Sequence, residues 1–476
     1  MIIGVEVKDK DLMISYYDKK GNIDYIIKRL SPHEIFEWVE SDRPSIEKNW
    51  NGKYLKKEKA RSQYLSRIRI EELIIEKLTK QEIDLIYDFD NNPKVNFLDI
   101  EIQLTDSTFP YPEKAAMPVN LISFCNEGDV SYVLSIMKSE DMPNGLSQDD
   151  IKQMELDVNE YFRKVVPLQE KDKKLFKKDF KIKHKFFETE KDLLNFYFHQ
   201  IAPKQSLVTG WNVIDFDWQY LMNRCKNLKL DPMANMASSK TFSKKHKIPN
   251  HLGVIDYMAF MQDPGYKPYK VIENYKLDYI ANRTLNTTKL KHPYKDMLEF
   301  QKDIYMFTMY NVIDNLLVKL IDEKLGIMEV AFSVANVAQI EINKIFSPVH
   351  ITEVLMSREF LKDNKKMAKK PYSDDIVDSK FEGAWVMPPV PGYYQFISCY
   401  DFKSMYPNIM MQWNTCPSSF AGKVGMIKNT EGLIKTKNDT YFRNDKDSVA
   451  RIIQSRLYNA RIDAQDRIKE LKYNTQ

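Results

Sequence analysis

Apolar and polar residues alternate with a period of two from Met1 to about Leu30, the pattern of strands in an antiparallel sheet. A charged, helix-like stretch follows from Ser45 to about Lys80. At Val95 the pattern changes to a buried strand, Val95 to Leu104. From there to about Leu320, strand-like runs (Leu121 to Phe124, Tyr132 to Ile136, Ser206 to Trp211) alternate with helical ones (Glu190 to Ile201, Asp217 to Leu228, Gln301 to Lys319). That alternation predicts an α/β domain. The spacing of apolar positions predicts one long helix from Ile321 to Phe346, ended by Ser347-Pro348. Lys362 to Lys380 is polar and reads as a linker, and a strand is predicted over Gln395 to Phe402. The last helix, Asp447 to about Tyr473, carries an apolar stripe at Ile452, Ile453, Leu457 and Ile462.

Composition narrows the class. The 476 residues are 43% hydrophobic and 12% aromatic, values of a folded chain long enough for about three domains. With only 14 glycines, Gly-rich phosphate loops are not the organising device, and no such loop is found. Net charge is +4, so the overall balance does not announce nucleic acid, although Lys171 to Lys185 holds eight lysines. Cys125, Cys225, Cys399 and Cys416 are scattered and suggest neither a disulfide framework nor a zinc site. There is no leader-like N-terminus and no uninterrupted apolar run near ~18 residues, so no membrane role and a cytoplasmic setting are expected.

Candidate chemistry lies in carboxylates. In Phe97-Leu98-Asp99-Ile100-Glu101-Ile102, strand alternation puts Asp99 and Glu101 on one face and the apolar residues on the other. Two carboxylates on one face of an apolar strand repel each other unless cations neutralise them. A second candidate, Asp217, ends Thr209-Gly210-Trp211-Asn212-Val213-Ile214-Asp215-Phe216-Asp217, where an Asp would also serve as an ordinary helix cap. The third is Met309-Tyr310-Asn311-Val312-Ile313-Asp314 on an apolar helix, with Tyr310 and Asp314 on one face and either a metal or a neighbouring donor as partner for Asp314. Hydrolysis of a phosphodiester by two divalent ions needs several such oxygens in one small volume.

A fourth segment is the run Tyr400-Asp401-Phe402-Lys403-Ser404-Met405-Tyr406-Pro407-Asn408-Ile409-Met410. It resembles the first palm motif of family B DNA polymerases. The three carboxylate segments resemble the exonuclease motifs of the DnaQ-like 3′–5′ proofreading domain in the form that family carries: Asp-x-Glu, Asn-x-x-x-Phe-Asp and Tyr-x-x-x-Asp, in order. The pattern is most similar to the replicative polymerases of T-even-type phages.

The resemblance implies an α/β and α+β multidomain chain: an N-terminal domain over 1–95 with 321–365 packing back onto it, an RNase H-like exonuclease domain over 96–320, a partial palm over 366–446, and the start of the fingers over 447–476. It implies Asp99, Glu101, Asp217 and Asp314 as ligands of two Mg²⁺ ions, with Mn²⁺ as a substitute and Tyr310 orienting the attacking water. Asn212 and Phe216 would line the single-stranded DNA path, and Lys291 falls where related phage enzymes often carry a basic residue. Asp401 and the carbonyl of Phe402 would hold two further ions, Ser404, Met405, Tyr406 and Arg456 would contact a deoxynucleoside triphosphate, and Phe381 and Gly383 would guide a primer end. Phe381-Glu382-Gly383-Ala384 departs from the Tyr-x-Gly-Gly of the family.

Absent after Asp401 are the second fingers helix and the Asp-Thr-Asp palm hairpin of the family. One carboxylate cannot hold two ions. The expectation is therefore the N-terminal part of a split polymerase for viral DNA replication, joined by a C-terminal partner chain in the host cytoplasm. The competing expectations are an inert DNA-binding or assembly subunit of a replisome, and the front portion of a one-piece polymerase.

Overall fold

Ile2–Lys8, Asp11–Tyr17 and Ile23–Arg29 form a three-stranded antiparallel sheet, as the alternation predicts. Asp9 and Lys10 join the first two strands, both at positive φ (48° and 72°), the two-residue turn whose twist matches that of the strands. The computed structural model describes residues 1–50, 52–60, 65–88, 93–126, 128–165, 179–234, 239–241, 247–249, 252–369 and 386–473.

The charged stretch from Ser45 to Lys80 is not one helix. Tyr54–Lys59 is a strand paired with Phe36–Ser41, and only Arg67–Lys77 is the first long helix. Leu55, buried with Phe36 and Trp38, ties that charged strand to a small apolar cluster. Local charge says nothing of such a partner, which is why the sequence pattern misleads there.

A six-stranded mixed sheet carries the next part of the chain, in spatial order Gly253–Asp256, Leu207–Gly210, Val95–Ile102, Val119–Cys125, Val130–Ser135, Lys181–Phe186. The first three strands run parallel, Val119–Cys125 is antiparallel to both its neighbours, and the last pair is parallel again. Val95–Ile102 thus stands in the interior of the sheet. Its Leu98, Ile100 and Ile102 enter a large core with Ile122, Tyr197, Trp218 and Val254. Its other face, with Asp99 and Glu101, meets helix Ile304–Leu325.

That helix has the length and apolarity of a membrane span, but 83% of its most apolar window is buried inside the protein, which makes it a core helix. Along it, Asn311, Asn315 and Lys319 recur every fourth residue and are all buried. Asn315 Nδ2 donates to the carbonyls of Phe97 (2.9 Å) and Ser123 (3.1 Å), fixing the helix to the two central strands. The single long helix expected from Ile321 to Phe346 is broken. Gly326, in the left-handed region at φ +65°, ends Ile304–Leu325, and Ile327–Ala338 starts anew with Asp322 accepting from the Met328 amide at 3.0 Å.

The chain divides into two compact units, Met1–Arg29 with Leu78–Ile351, and Leu30–Lys77 with Thr352–Gln476. Residues 30–77 therefore group with the C-terminal part rather than with the rest of 1–95. In the second unit, helix Met405–Trp413 packs on helix Val449–Tyr473, beside a three-stranded sheet ordered Phe420–Lys423, Thr440–Arg443, Leu433–Lys435. The strand expected over Gln395 to Phe402 is not formed: this stretch is irregular and exposed, and Phe396 sits at φ +58°. Among the described residues no segment pairs with it, and an isolated strand has nowhere to send its backbone hydrogen bonds. The four cysteines are free, with Cys125, Cys225 and Cys416 buried.

Candidate active site: four carboxylates around a lysine

Asp99 and Glu101 project from one face of Val95–Ile102, as the alternation requires. Asp217 comes from a five-residue π turn, Ile214–Trp218, where the Trp218 amide reaches back to the Val213 carbonyl at 2.8 Å. Such turns are energetically poor and concentrate at functional sites. Asp217 does not cap the helix that follows. Its Oδ1 accepts from the Ile100 amide at 3.0 Å, between Asp99 and Glu101 in sequence, so the cap alternative is set aside. Asp314 arrives from the core helix. Three separated segments thereby bring four carboxylates into one buried region.

Charge repulsion is the first consequence. Burial, and then the neighbouring Asp314, push the Asp99 carboxyl up to about 8, against the pull of Lys289. Glu101 is raised well above its usual range by burial and then by Asp99 and Asp314. Asp217 is raised by burial and then by Asp99, and Asp314 by burial, opposed by Lys289. Lys289 Nζ pairs with Asp314 and donates to the Tyr310 hydroxyl at 2.6 Å. Burial disfavours its charge, but Asp314 and Tyr310 outweigh that and raise its pKa. Asn311 Nδ2 donates to Asp99 Oδ2 at 2.5 Å.

The basic residue at these carboxylates is thus Lys289, two positions before Lys291, which is exposed. Sequence reading also passed over Asn311. A polar line at fourfold spacing in an apolar helix marks Asn311, whereas nothing local marks Lys289, which reaches the site from a loop.

The donor set suits divalent cations. Asp314 Oδ1 is buried without a hydrogen-bond partner, and the other candidate ligands are hard carboxylate oxygens held against mutual repulsion. Among the described residues no three acidic, His or Cys side chains are gathered into a finished cage, and Lys289 and Asn311 take up oxygens of Asp314 and Asp99.

Beside the carboxylates, a cleft of about 450 Å³ is lined by Ile100, Glu101, Phe109, Phe216 and Phe307. Phe216 and the exposed Phe109 pack with ring centroids 6.0 Å apart, their planes tilted by 59°. Asn212, at φ +62°, is held through its amide, which donates to Asp256 Oδ1 at 3.0 Å.

The palm residues are elsewhere, in the second unit. Asp401 and Phe402 are exposed, and Ser404, at φ +53°, starts the helix Met405–Trp413 that carries Tyr406. Arg456 is turned to Glu359 at 3.0 Å, and Arg461, on the same helix, donates to Ser404 Oγ at 3.2 Å. Phe381 and Gly383 lie outside the described residues.

A strand with two carboxylates, a turn with one and a helix with one thus share a chain with the segment around Asp401. The family comparison agrees. Residues 37–280, just over half of the chain, match the exonuclease domain of DNA polymerase family B, and residues 330–474 match the DNA polymerase family B domain. The chain belongs to the family B DNA polymerases. It is 26% identical over 430 residues to the DNA-directed DNA polymerase of Escherichia phage RB69, covering 83% of this chain and 45% of that protein. It is 24% identical over 381 residues to that of Enterobacteria phage T4, covering 75% and 40%. The catalytic subunit of DNA polymerase delta from Plasmodium falciparum is 29% identical over 320 residues, covering 61% and 29%. The chain thus spans less than half the length of these relatives.

Removing the Tyr310 hydroxyl alone tests its place in the cluster. Tyr310→Phe leaves the ring in its aromatic packing with Phe300 and takes away one partner of Lys289. For the excision proposed below, the expected outcome is a fall of about tenfold in rate with little change in thermal stability, read by single-turnover assay and melting.

Proposed function

We propose that this chain is a 3′–5′ exodeoxyribonuclease acting on single-stranded DNA 3′ ends, and that it forms the N-terminal portion of a family B DNA polymerase. One observation carries the first part: Asp99, Glu101, Asp217 and Asp314 converge from three segments on one buried region containing Lys289 and Tyr310. The four carboxylates would hold two divalent cations, Mg²⁺ or Mn²⁺. Bound there, the cations supply positive charge to the scissile phosphate and activate water as its nucleophile. Asp217, tied to the Ile100 amide, keeps its carboxylate next to the strand pair. Tyr310, hydrogen-bonded by Lys289, would orient the incoming water, and Phe216 and Phe109 would offer stacking faces to the terminal bases at the cleft.

The palm motif contributes Asp401 as a single metal-binding carboxylate, and large apolar side chains around it (Tyr400, Phe402 and Tyr406) are 91%, 79% and 70% exposed. Such an apolar surface suits a site completed by further polymerase segments carrying the remaining palm carboxylates and fingers. In the split reading these come from a second chain; in the one-piece reading they lie on the same polypeptide. Polymerisation by this chain alone would overturn the partial-palm reading.

A second reading, an inert DNA-binding subunit, is favoured by the engagement of Asp314 and Asp99 with Lys289 and Asn311. A 5′-labelled single-stranded oligonucleotide separates the two. The exonuclease reading expects stepwise shortening from the 3′ end with Mg²⁺, stopped by EDTA; binding without shortening in either Mg²⁺ or Mn²⁺ supports the inert subunit.

A further inference from the structure

Asp256 lies outside the four carboxylates, yet it reaches the segment that delivers one of them. It ends the edge strand Gly253–Asp256, in parallel register with Gly210, the last residue of Leu207–Gly210. Its Oδ1 accepts from the Asn212 amide at 3.0 Å and from the Met258 amide at 2.9 Å. The Ile214 amide is a further donor to the same carboxyl. The Met258 bond caps the short helix Tyr257–Gln262. The other two cross to the beginning of the turn that carries Asp217.

Val213 and Trp218, both fully buried, anchor the side chains of the turn in the core, and its backbone entry is set by neighbouring strands. Asn212 is left-handed, so the chain reverses at the tethered residue. Just before it, a Cβ on Gly210 would meet the Leu98 carbonyl oxygen at 2.3 Å, so the strand end is pressed against the strand bearing Asp99. Behind the turn lies a cavity of about 470 Å³, lined by Ile214, Asp215, Asp256 and Met258. Ile214 borders this cavity as well as the core, and the hydrogen bonds to Asp256 fix the backbone where the turn leaves the strand.

We propose that Asp256 is a positioning residue of the exonuclease: it holds the backbone of 212–214 so that Asp217 meets the Ile100 amide beside Asp99 and Glu101. The inference rests on the exonuclease reading above. The plainer role is that of a helix cap alone, and two substitutions in the full chain separate them. Asp256→Ser keeps a good cap for Met258 but is too short to hold Asn212 as well, whereas Asp256→Asn keeps an oxygen that accepts from both amides.

The measurements are kcat and KM for Mg²⁺-dependent excision of a 5′-labelled oligothymidylate, and amide hydrogen exchange over 211–218 without metal. Positioning expects Asp256→Ser to lose about tenfold to a hundredfold in kcat, with KM within about threefold and faster exchange over 211–218. Asp256→Asn is expected to recover most of both. Unchanged kcat and unchanged exchange in Asp256→Ser overturn the proposal, and so does an Asp256→Asn protein as impaired as Asp256→Ser. If the unsubstituted protein does not excise, the exonuclease reading falls, and the exchange comparison still decides whether Asp256 holds the turn.

Discussion

Asp99→Ala is expected to lower excision from a DNA 3′ end by about a thousandfold or more while the protein stays folded. Asp99 is the carboxylate most entangled with the others, since it raises both Glu101 and Asp217 and is itself raised by Asp314. Stabilisation of developing charge by bound cations is worth several kcal/mol, and about 4 kcal/mol corresponds to about three orders of magnitude in rate. Folding should not suffer in the metal-free protein, because removing one of four repelling carboxylates relieves electrostatic strain. The measurement is single-turnover excision of a labelled oligonucleotide at saturating Mg²⁺, with melting as the folding control. Activity within a few-fold of the unsubstituted protein would remove Asp99 from the reacting centre.

The same repulsion makes stability depend on pH and metal. In the metal-free folded protein the Asp99 carboxyl titrates at about 8, against a value near 4 in an unfolded chain. Between those values the folded state keeps a proton that the unfolded state has released. The stabilisation is therefore whole below about pH 4 and is lost as pH rises toward 8. A fully sealed group displaced that far would account for about 5 kcal/mol; the Asp99 side chain is only half-buried, so about 2–3 kcal/mol is expected. Urea unfolding in EDTA at pH 5 and pH 8 should show this fall. Mg²⁺ should restore stability most strongly at pH 8, where the carboxylates are free of competing protons. Asp99→Asn should flatten the slope, and an undiminished slope in that variant would place the titrating group elsewhere.

Much of this site is legible in sequence because strand and helix periodicities are local. Alternation puts Asp99 and Glu101 on one face of Val95–Ile102, and the fourfold rule puts Tyr310 beside Asp314; both hold in the folded chain. The three motifs in order also suffice to name the family, and the family models match across the first two and across the palm segment, with Tyr310 and Asp314 lying between the two matched ranges. Elements whose neighbours are distant are the ones that local pattern misses. Tyr54–Lys59 looks helical by charge and is a strand because Phe36–Ser41 pairs with it, and Gln395 to Phe402 looks like a strand but lacks a pairing segment among the described residues.

The sequence by itself determined which residue types the site owns, their faces and their family. Tertiary structure alone decided which cation answers them, Lys289 and not Lys291, because a loop outside all three motifs brings it to Asp314. It also decided that Asp217 leans on the Ile100 amide instead of capping its helix, and that Asp256 tethers the turn from an edge strand. The reason is physical: periodicity fixes direction along one element, whereas hydrogen bonds and Coulomb interactions act over a few ångströms between elements far apart in the chain.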